Sequence, residues 1–378
     1  MRKYAWLFSL LLCVAPASLY AQSAEAPASQ SQAQASEVND PSKMLPAEIE
    51  ARFKALRSDP DPDQLVRDAH YWVSNENAHY VWYPHIKDIG GVLSGVGTDQ
   101  VYLLAGWSNA SIVIPMDFDK QIRNLHFAYG AAFLASENIE EFRSYWKKEN
   151  AEKMKAALQK YFPEQTDAAM KAWKSGVKEV NGRFNRVIKK YNGLSKFLTD
   201  QAASNPKQYA ANAKKFTETI PTFLTDEGQY QRIRRLWQNH RVFPLCGDLT
   251  GDRAMLDIAK ALKDSGLKMT ILYPSNAEHY FEYGPTYRRN IIEMPFADNS
   301  KILRTRQMAF LGLAEDEDYH YNMQSGANFQ QWLKVNITKE QKEMLRKRSK
   351  TETTGLSVLD IDPPQSKKAP TIAPIPAN

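Results

Sequence analysis

Gly90-Gly91-Val92-Leu93-Ser94-Gly95-Val96-Gly97-Thr98-Asp99-Gln100 is the stretch whose reading decides the fold. A short apolar run ends in a glycine turn. It passes through Thr98 or Asp99, either of which can cap a helix carrying Tyr102, Leu103 and Leu104. Ala110 to Asp117 (ASIVIPMD) then reads as a buried strand, although Pro115 removes a ladder donor. A helix through Ile122, Leu125, His126, Tyr129 and Phe133 follows. The same alternation returns further along. Arg241 to Cys246 (RVFPLC) reads as a strand, Gly251 to Lys263 as a helix ended by Ser265-Gly266, and Leu267 to Tyr273 as a strand stopped by Pro274-Ser275-Asn276. Arg289 to Pro295 reads as one more strand. Strands of this length separated by helices imply an α/β fold: a Rossmann-like, mostly parallel sheet flanked by helices.

Residues 137–238 have a different texture, dense in Lys, Ala, Glu and Gln. Met170, Trp173, Val177, Val180, Phe184, Val187, Ile188 and Tyr191 fall on one helical face. This predicts a large helical insertion that packs on the sheet or covers its edge, with covering the pocket as a further option. An aromatic stripe of this kind is core rather than a cofactor box.

The N-terminus reads as an address. Arg2 and Lys3 precede an apolar run from Tyr4 to Pro16, and Ala15, Ala17, Ser18 and Ala21 follow. That is the order of a secretory signal peptide, and the run is shorter than the about 20 apolar residues a spanning helix needs. The expected organisation is a signal peptide at 1–21 and a disordered linker at 22–44. An α/β domain at 45–347 and a disordered Pro-rich tail at 348–378 complete it. No transmembrane anchor is expected after cleavage. The expected location is exported, in the periplasm or outside the cell. The formal charge is +6, and +4 without Arg2 and Lys3, which is not the concentrated basic footprint of a nucleic-acid binder. Cys246 would be the one cysteine left, so no internal disulfide is expected. The chain has no HExxH, CxxC or GxSxG, and its seven histidines lack ligand spacing, so no metal site is predicted. His126 reads as a satisfied core histidine.

Ligands in open parallel sheets bind outside the carboxyl ends of the strands. Gly95 and Gly97 supply the turn after the first strand, and Asp99 begins the helix beyond it. Asp117 ends the next strand twenty positions after Gly97, where dinucleotide and nucleoside folds keep an acid for ribose hydroxyls. Asp248 ends the third strand and Ser275-Asn276 the fourth. These groups are expected to converge on one crevice. The block Ser74-Asn75-Glu76-Asn77 is a candidate lining, with Asn75 and Glu76 its strongest members. Taken singly, each of these is also an ordinary turn or cap residue; Asp248 followed by Gly251 is a plain helix cap.

The chain resembles a bacterial family of unknown function whose Rossmann fold is similar to S-adenosylmethionine-dependent methyltransferases. The resemblance runs from about Asp61 to Gln307. It is carried by WVSNENAHY (Trp72 to Tyr80), GGVLSGVGTDQVYLL (Gly90 to Leu104), VFPLCGDLTG (Val242 to Gly251) and LYPSNAEHYF (Leu272 to Phe281). It implies S-adenosylmethionine as cofactor, with Gly95 and Gly97 under its methionine end, Asp117 on the ribose and Asp248 on the adenine amine. Asn276 would stand where the substrate meets the sulfonium, with Glu278, His279 or Tyr280 as a base. The sequence departs from the methyltransferase pattern. Val92, Leu93 and Ser94 stand where an acid usually precedes the first glycine, and the third glycine is missing. Three functions follow: a binding protein for a small polar or nucleoside-like ligand, a methyltransferase, or a cell-envelope interaction module with a protein partner. An exported chain meets no known supply of the cofactor, which puts the binding protein first. Cleavage is expected after Ala17 or Ala21, so N-terminal sequencing of protein recovered from an expressing host should find a mature chain starting near Gln22. An intact Met1 start on all of the material would overturn the export reading.

Overall fold

The computed structural model describes residues 38, 40–314, 318–365 and 369–376. The expected signal peptide and most of the linker lie outside the described residues. The strands are β1 (Val92–Val96), β2 (Ile112–Asp117), β3 (Leu245–Cys246), β4 (Met269–Ser275), β5 (Phe296–Arg306), β6 (His320–Gln324), β7 (Ser349–Lys350) and β8 (Leu356–Val358). They form one sheet in the order β3-β2-β1-β4-β5-β6-β8-β7. The first five are parallel, β6 runs antiparallel to β5, β8 is parallel to β6, and β7 is antiparallel to β8.

Among the described residues the helices of eight residues or more are α1 (Ala47–Lys54), α2 (Asp99–Ser108), α3 (Lys120–Ala135), α4 (Ala151–Tyr161), α5 (Thr166–Ser204), α6 (Pro206–Lys215), α7 (Glu227–Gln238), α8 (Ala254–Asp264), α9 (Pro285–Glu293) and α10 (Gly326–Leu333). They cover both faces of the sheet, as a parallel sheet requires. Side chains alternate along a strand, and the two cores sort by that alternation. Leu93, Val113, Ile271, Tyr273 and Leu303 join α2, α3, α5 and α7 on one face. Val92, Ile112, Ile114, Met116, Met269, Leu272 and Ile302 join α1, α8, α9 and α10 on the other.

Pro115 is tolerated because of where it falls. The N–H and C=O of Val113 bond to Arg241 and Phe243, so alternation turns Pro115 toward the same edge. There the ladder is interrupted between the isolated bridge at Val242 and β3. The missing donor costs little at that gap.

Four expectations are corrected. Arg289 to Pro295 is not a strand: Pro285 at the first turn starts α9, which runs to Glu293. The strand is the more polar FADNSKILRTR that follows, with Ile302 and Leu303 buried on opposite faces. The stretch Arg241 to Cys246 is reduced to one bridge and two paired residues. Residues 348–378 are not simply a disordered tail, because β7 and β8 extend the sheet and Leu356 and Leu359 are buried. Beyond them, Pro285 accepts from the N–H of Ala373, and Arg289 donates to the carbonyl of Pro374. The end of the linker is also held: buried Arg241 donates to the carbonyls of Val38 and Lys43.

The insertion is built of helices joined by loops, the longest at 216–226, and its stripe is core. Met170, Trp173, Val177, Val180, Phe184, Val187 and Tyr191 of α5 are buried. A Cβ at Gly176 would lie 2.9 Å from the Trp72 indole, so the glycine lets the 72–82 segment lie against α5. One buried ion pair locks this layer down. Arg183 of α5 donates from Nε to Asp99 (2.9 Å), from Nη1 to Asn77 Oδ1 (2.9 Å) and from Nη2 to the Glu76 carbonyl (3.1 Å). Removing one partner of such a pair leaves a buried charge alone, which costs about 3–5 kcal/mol. Arg183→Met should therefore lower unfolding free energy in urea by about that amount, and Arg183→Met/Asp99→Leu by clearly less. Equal losses in both would show that the charge is not the determinant.

Candidate functional site

The strand order turns back between β1 and β4, so the topological switch point opens there, at the carboxyl ends of the strands. A crevice of about 100 Å³ occupies it. Val96 and Gly97 come from the end of β1, Asp117, Phe118 and Asp119 from β2, and Ser275, Asn276 and Ala277 from β4. The segment from Leu65 to Asn75 forms the remaining wall, and the half-exposed rings of Tyr71 and Tyr280 stand at the rim.

Of the nine residues singled out from the sequence, Gly97, Asp117, Ser275, Asn276 and Asn75 line this crevice. Gly95, Asp99, Glu76 and Asp248 do not. Gly95 lies inside the sheet, where a Cβ would press on Tyr273 and Val101 at 3.2 Å. Asp99 is buried against Arg183 rather than capping α2. Asp248 accepts from the N–H and hydroxyl of Thr250 (2.7 and 2.8 Å), the ordinary cap-type role.

Glu76 sits behind the crevice, fully buried. Its carboxylate accepts from Tyr273 (2.5 Å), Ser275 (2.5 Å) and Thr305 (2.6 Å) and lies 3.2 Å from His79 Nε2. Burial alone would raise its pKa, but the bonds from His79, Ser275 and Thr305 outweigh burial and hold it below the usual carboxylate range. The bond to Ser275 also steadies that residue at φ 56, a left-handed backbone that serine seldom adopts.

The glycine turn is closed on itself. Gly97 has φ 99, and its N–H bonds to the Met116 carbonyl. The Thr98 N–H is taken by Gln100 Oε1. These two N–H groups already have acceptors and are not free to hold an anion. His126 braces the turn from below: its Nε2 donates to the Gly97 carbonyl (2.8 Å) and its Nδ1 accepts from Tyr102 (2.9 Å). Burial lowers its pKa to about 4, so it is a neutral core histidine.

The charged and amide groups that face the crevice can accept hydrogen bonds. Asp117 and Asp119 line it, and among the described residues no Lys, Arg or His does. Asn75 and Asn276 each donate Nδ2 to the Tyr319 hydroxyl (2.7 and 2.9 Å), leaving their amide oxygens as acceptors. Asp119 was missed from the sequence, although its N-cap bond to Gln121 is a legible signal. Its other oxygen lies 2.6 Å from His70 Nδ1. Burial pushes Asp117 up to about 7, reinforced by Asp119 and opposed by the N–H groups of Asp119, Gly97 and Phe118. Of the three suggested bases, only Tyr280 reaches the crevice. Glu278 is buried, accepting from Tyr287 and lying 3.5 Å from Arg304. Burial, with Arg306 nearby, lowers His279 to about 4.

Among the described residues no cluster of metal-ligating side chains occurs, and no helix is long and apolar enough to cross a membrane. Fold and crevice define an α/β domain of the doubly wound type with a pocket at its switch point. The chain belongs to the family described as "Domain of unknown function (DUF7790)", whose model matches residues 71–360. That span includes β7 and β8. No curated protein matches the chain.

Asp117 yields a pH test. The folded state holds its proton more tightly than the unfolded chain, so stability falls as pH rises from 3.8 to about 7 and is level above that. Asp117→Asn should remove this slope and raise stability at pH 8 by on the order of 2–4 kcal/mol. Urea denaturation of both proteins at pH 5 and pH 8 measures it. A variant no more stable than the parent at pH 8 would contradict the assignment.

Proposed function

We propose that this is an exported ligand-binding protein whose switch-point crevice takes a small polar molecule rich in hydrogen-bond donors. One observation carries the reading: the crevice presents the carboxylates of Asp117 and Asp119 and lacks any cationic side chain among its lining residues. A carboxylate raised toward neutrality inside a cleft is a mark of a functional site. Hydroxyl or ammonium groups would satisfy Asp117 and the oxygens of Asn75 and Asn276, and the rim rings of Tyr71 and Tyr280 favour a positive charge. Anionic ligands meet like charge. The enclosed volume is well below the roughly 300–1,000 Å³ of drug-sized sites, so it suits a small molecule or one end of a larger one.

A second reading, an S-adenosylmethionine-dependent methyltransferase, draws on one feature. Asp117 ends β2 beside Gly97, next to the β1–β4 switch point, where a nucleoside's ribose hydroxyls would be accepted. The engagement of Asp99 by Arg183 and of Asp248 by Thr250, together with the small volume, weighs toward the simpler binding role.

Calorimetry on the full chain separates the two. Polyols, small amines and nucleosides are titrated alongside S-adenosylmethionine and S-adenosylhomocysteine. The binding reading expects micromolar affinity for a donor-rich small molecule, weakened at least tenfold by Asp117→Ala. Micromolar binding of S-adenosylmethionine, lost in the same variant, would favour the transferase. Tighter binding of small carboxylates or phosphates than of amines and polyols would sink the first reading.

A further inference from the structure

A second concavity lies away from the crevice and shares no lining residue with it. It is a groove of about 990 Å³ between α1, α3, α7 and β3. Its walls are aromatic. Phe162 lies 5.4 Å from Phe127 and 5.8 Å from Trp237, and Phe53 stacks on Phe243 at 5.2 Å.

Two arginines stand in this apolar wall without a counter-ion. Arg123 lies over the Phe127 ring at 4.9 Å and bonds only to the Asn124 amide, 3.2 Å away. Among the described residues neither it nor Arg234 forms an ion pair, and the Nε–H of each is buried without an acceptor. Trp237, 5% exposed, also has a buried indole N–H without an acceptor. Lys54 and His240, also on the groove, pair with Glu50, and exposed Glu164 is the acid that lines it. Half-buried guanidinium groups are costly unless paired, and buried donors are normally satisfied. Burial lowers the pKa of Arg123 in the same sense.

We propose that this groove binds an amphipathic organic anion, its apolar body along the aromatic walls and its carboxylate or phosphate head on Arg123 and Arg234. Arginine suits such heads because its planar fork can donate two parallel bonds. An extended peptide pairing with the sheet edge is a poorer occupant. The edge strand β3 has two residues, and Pro244 before it lacks a donor.

The test uses the full chain and four probes below their micelle concentrations: dodecanoate, dodecyl phosphate, dodecyltrimethylammonium and acetate. Binding is read by calorimetry and by tryptophan fluorescence, with Trp237→Phe subtracting the other seven indoles. We expect micromolar binding of at least one anionic chain, and the preferred head identifies carboxylate or phosphate. The cationic chain and acetate should bind at least tenfold more weakly. Arg123→Gln/Arg234→Gln should weaken the anionic chain at least tenfold, and Arg123→Lys/Arg234→Lys should weaken it less. Equal binding of the cationic chain overturns the proposal, as does binding unchanged in the Gln variant, or no binding of either anion by a chain whose melting temperature is normal.

Discussion

The hydrogen bonds that converge on Glu76 and Asn77 hold three parts of the molecule in register. The Glu76 carboxylate ties the 72–82 segment to the ends of β4 and β5 through Tyr273, Ser275 and Thr305. The Glu76 carbonyl and the Asn77 side chain tie it to Arg183 on the long inserted helix. Arg183 in turn pairs with Asp99 at the start of α2. Each charge is buried, so each is tolerable only while its partners stay in place. That mutual dependence makes the arrangement cooperative: the insertion, the wall of the crevice and the carboxyl edge of the sheet are positioned together. The apolar stripe of α5 supplies the driving force for docking, and the polar contacts select one seating among many that would bury the same rings.

The crevice that results has a definite chemical sense. The N–H groups of the glycine turn have internal acceptors, and so the turn offers little to an anion. Asp117, Asp119 and the amide oxygens of Asn75 and Asn276 line the crevice with groups that can accept further hydrogen bonds. On the other side of α3 the sense is reversed: among aromatic rings, the buried Nε–H groups of Arg123 and Arg234 lack acceptors. Ile122 faces the crevice and Arg123 the groove, so adjacent residues of one helix serve sites of opposite polarity.

Much of the sheet was legible along the chain. Val92, Leu93 and Val113 alternate between two cores as a strand of period two demands, and α5 follows the helical spacing of Met170 to Tyr191. The errors have physical causes. FADNSKILRTR looks like a loop because Asp298, Lys301, Arg304 and Arg306 interrupt its few apolar residues, yet Ile302, Leu303 and even Arg304 are buried in the sheet. Leu356 and Val358 are too short a signal to overcome the prolines around them, and they become strand residues only because β6 offers an open edge. Arg183 looks like one more solvated charge on a Lys-rich helix. Its spacing from Val180 and Val187 does place it on the buried face, and that was the available clue.

By itself the sequence determined the alternation of strands and helices, the two-sided burial of the central strands and the acids and amides at their carboxyl ends. Those are local properties, set by side-chain periodicity and backbone preference within a few residues. Only the tertiary structure decided which polar groups answer one another. Asp99 meets an arginine 84 positions away, Glu76 meets a threonine 229 positions away, and Asp248 is turned to Thr250 instead of the crevice. Hydrogen bonding and burial depend on distance in space, and distance in space between remote segments is set by the packing of whole layers. The aspartate that ends β2 was readable as a residue; its near-neutral pKa was not, because burial and the neighbouring Asp119 create it.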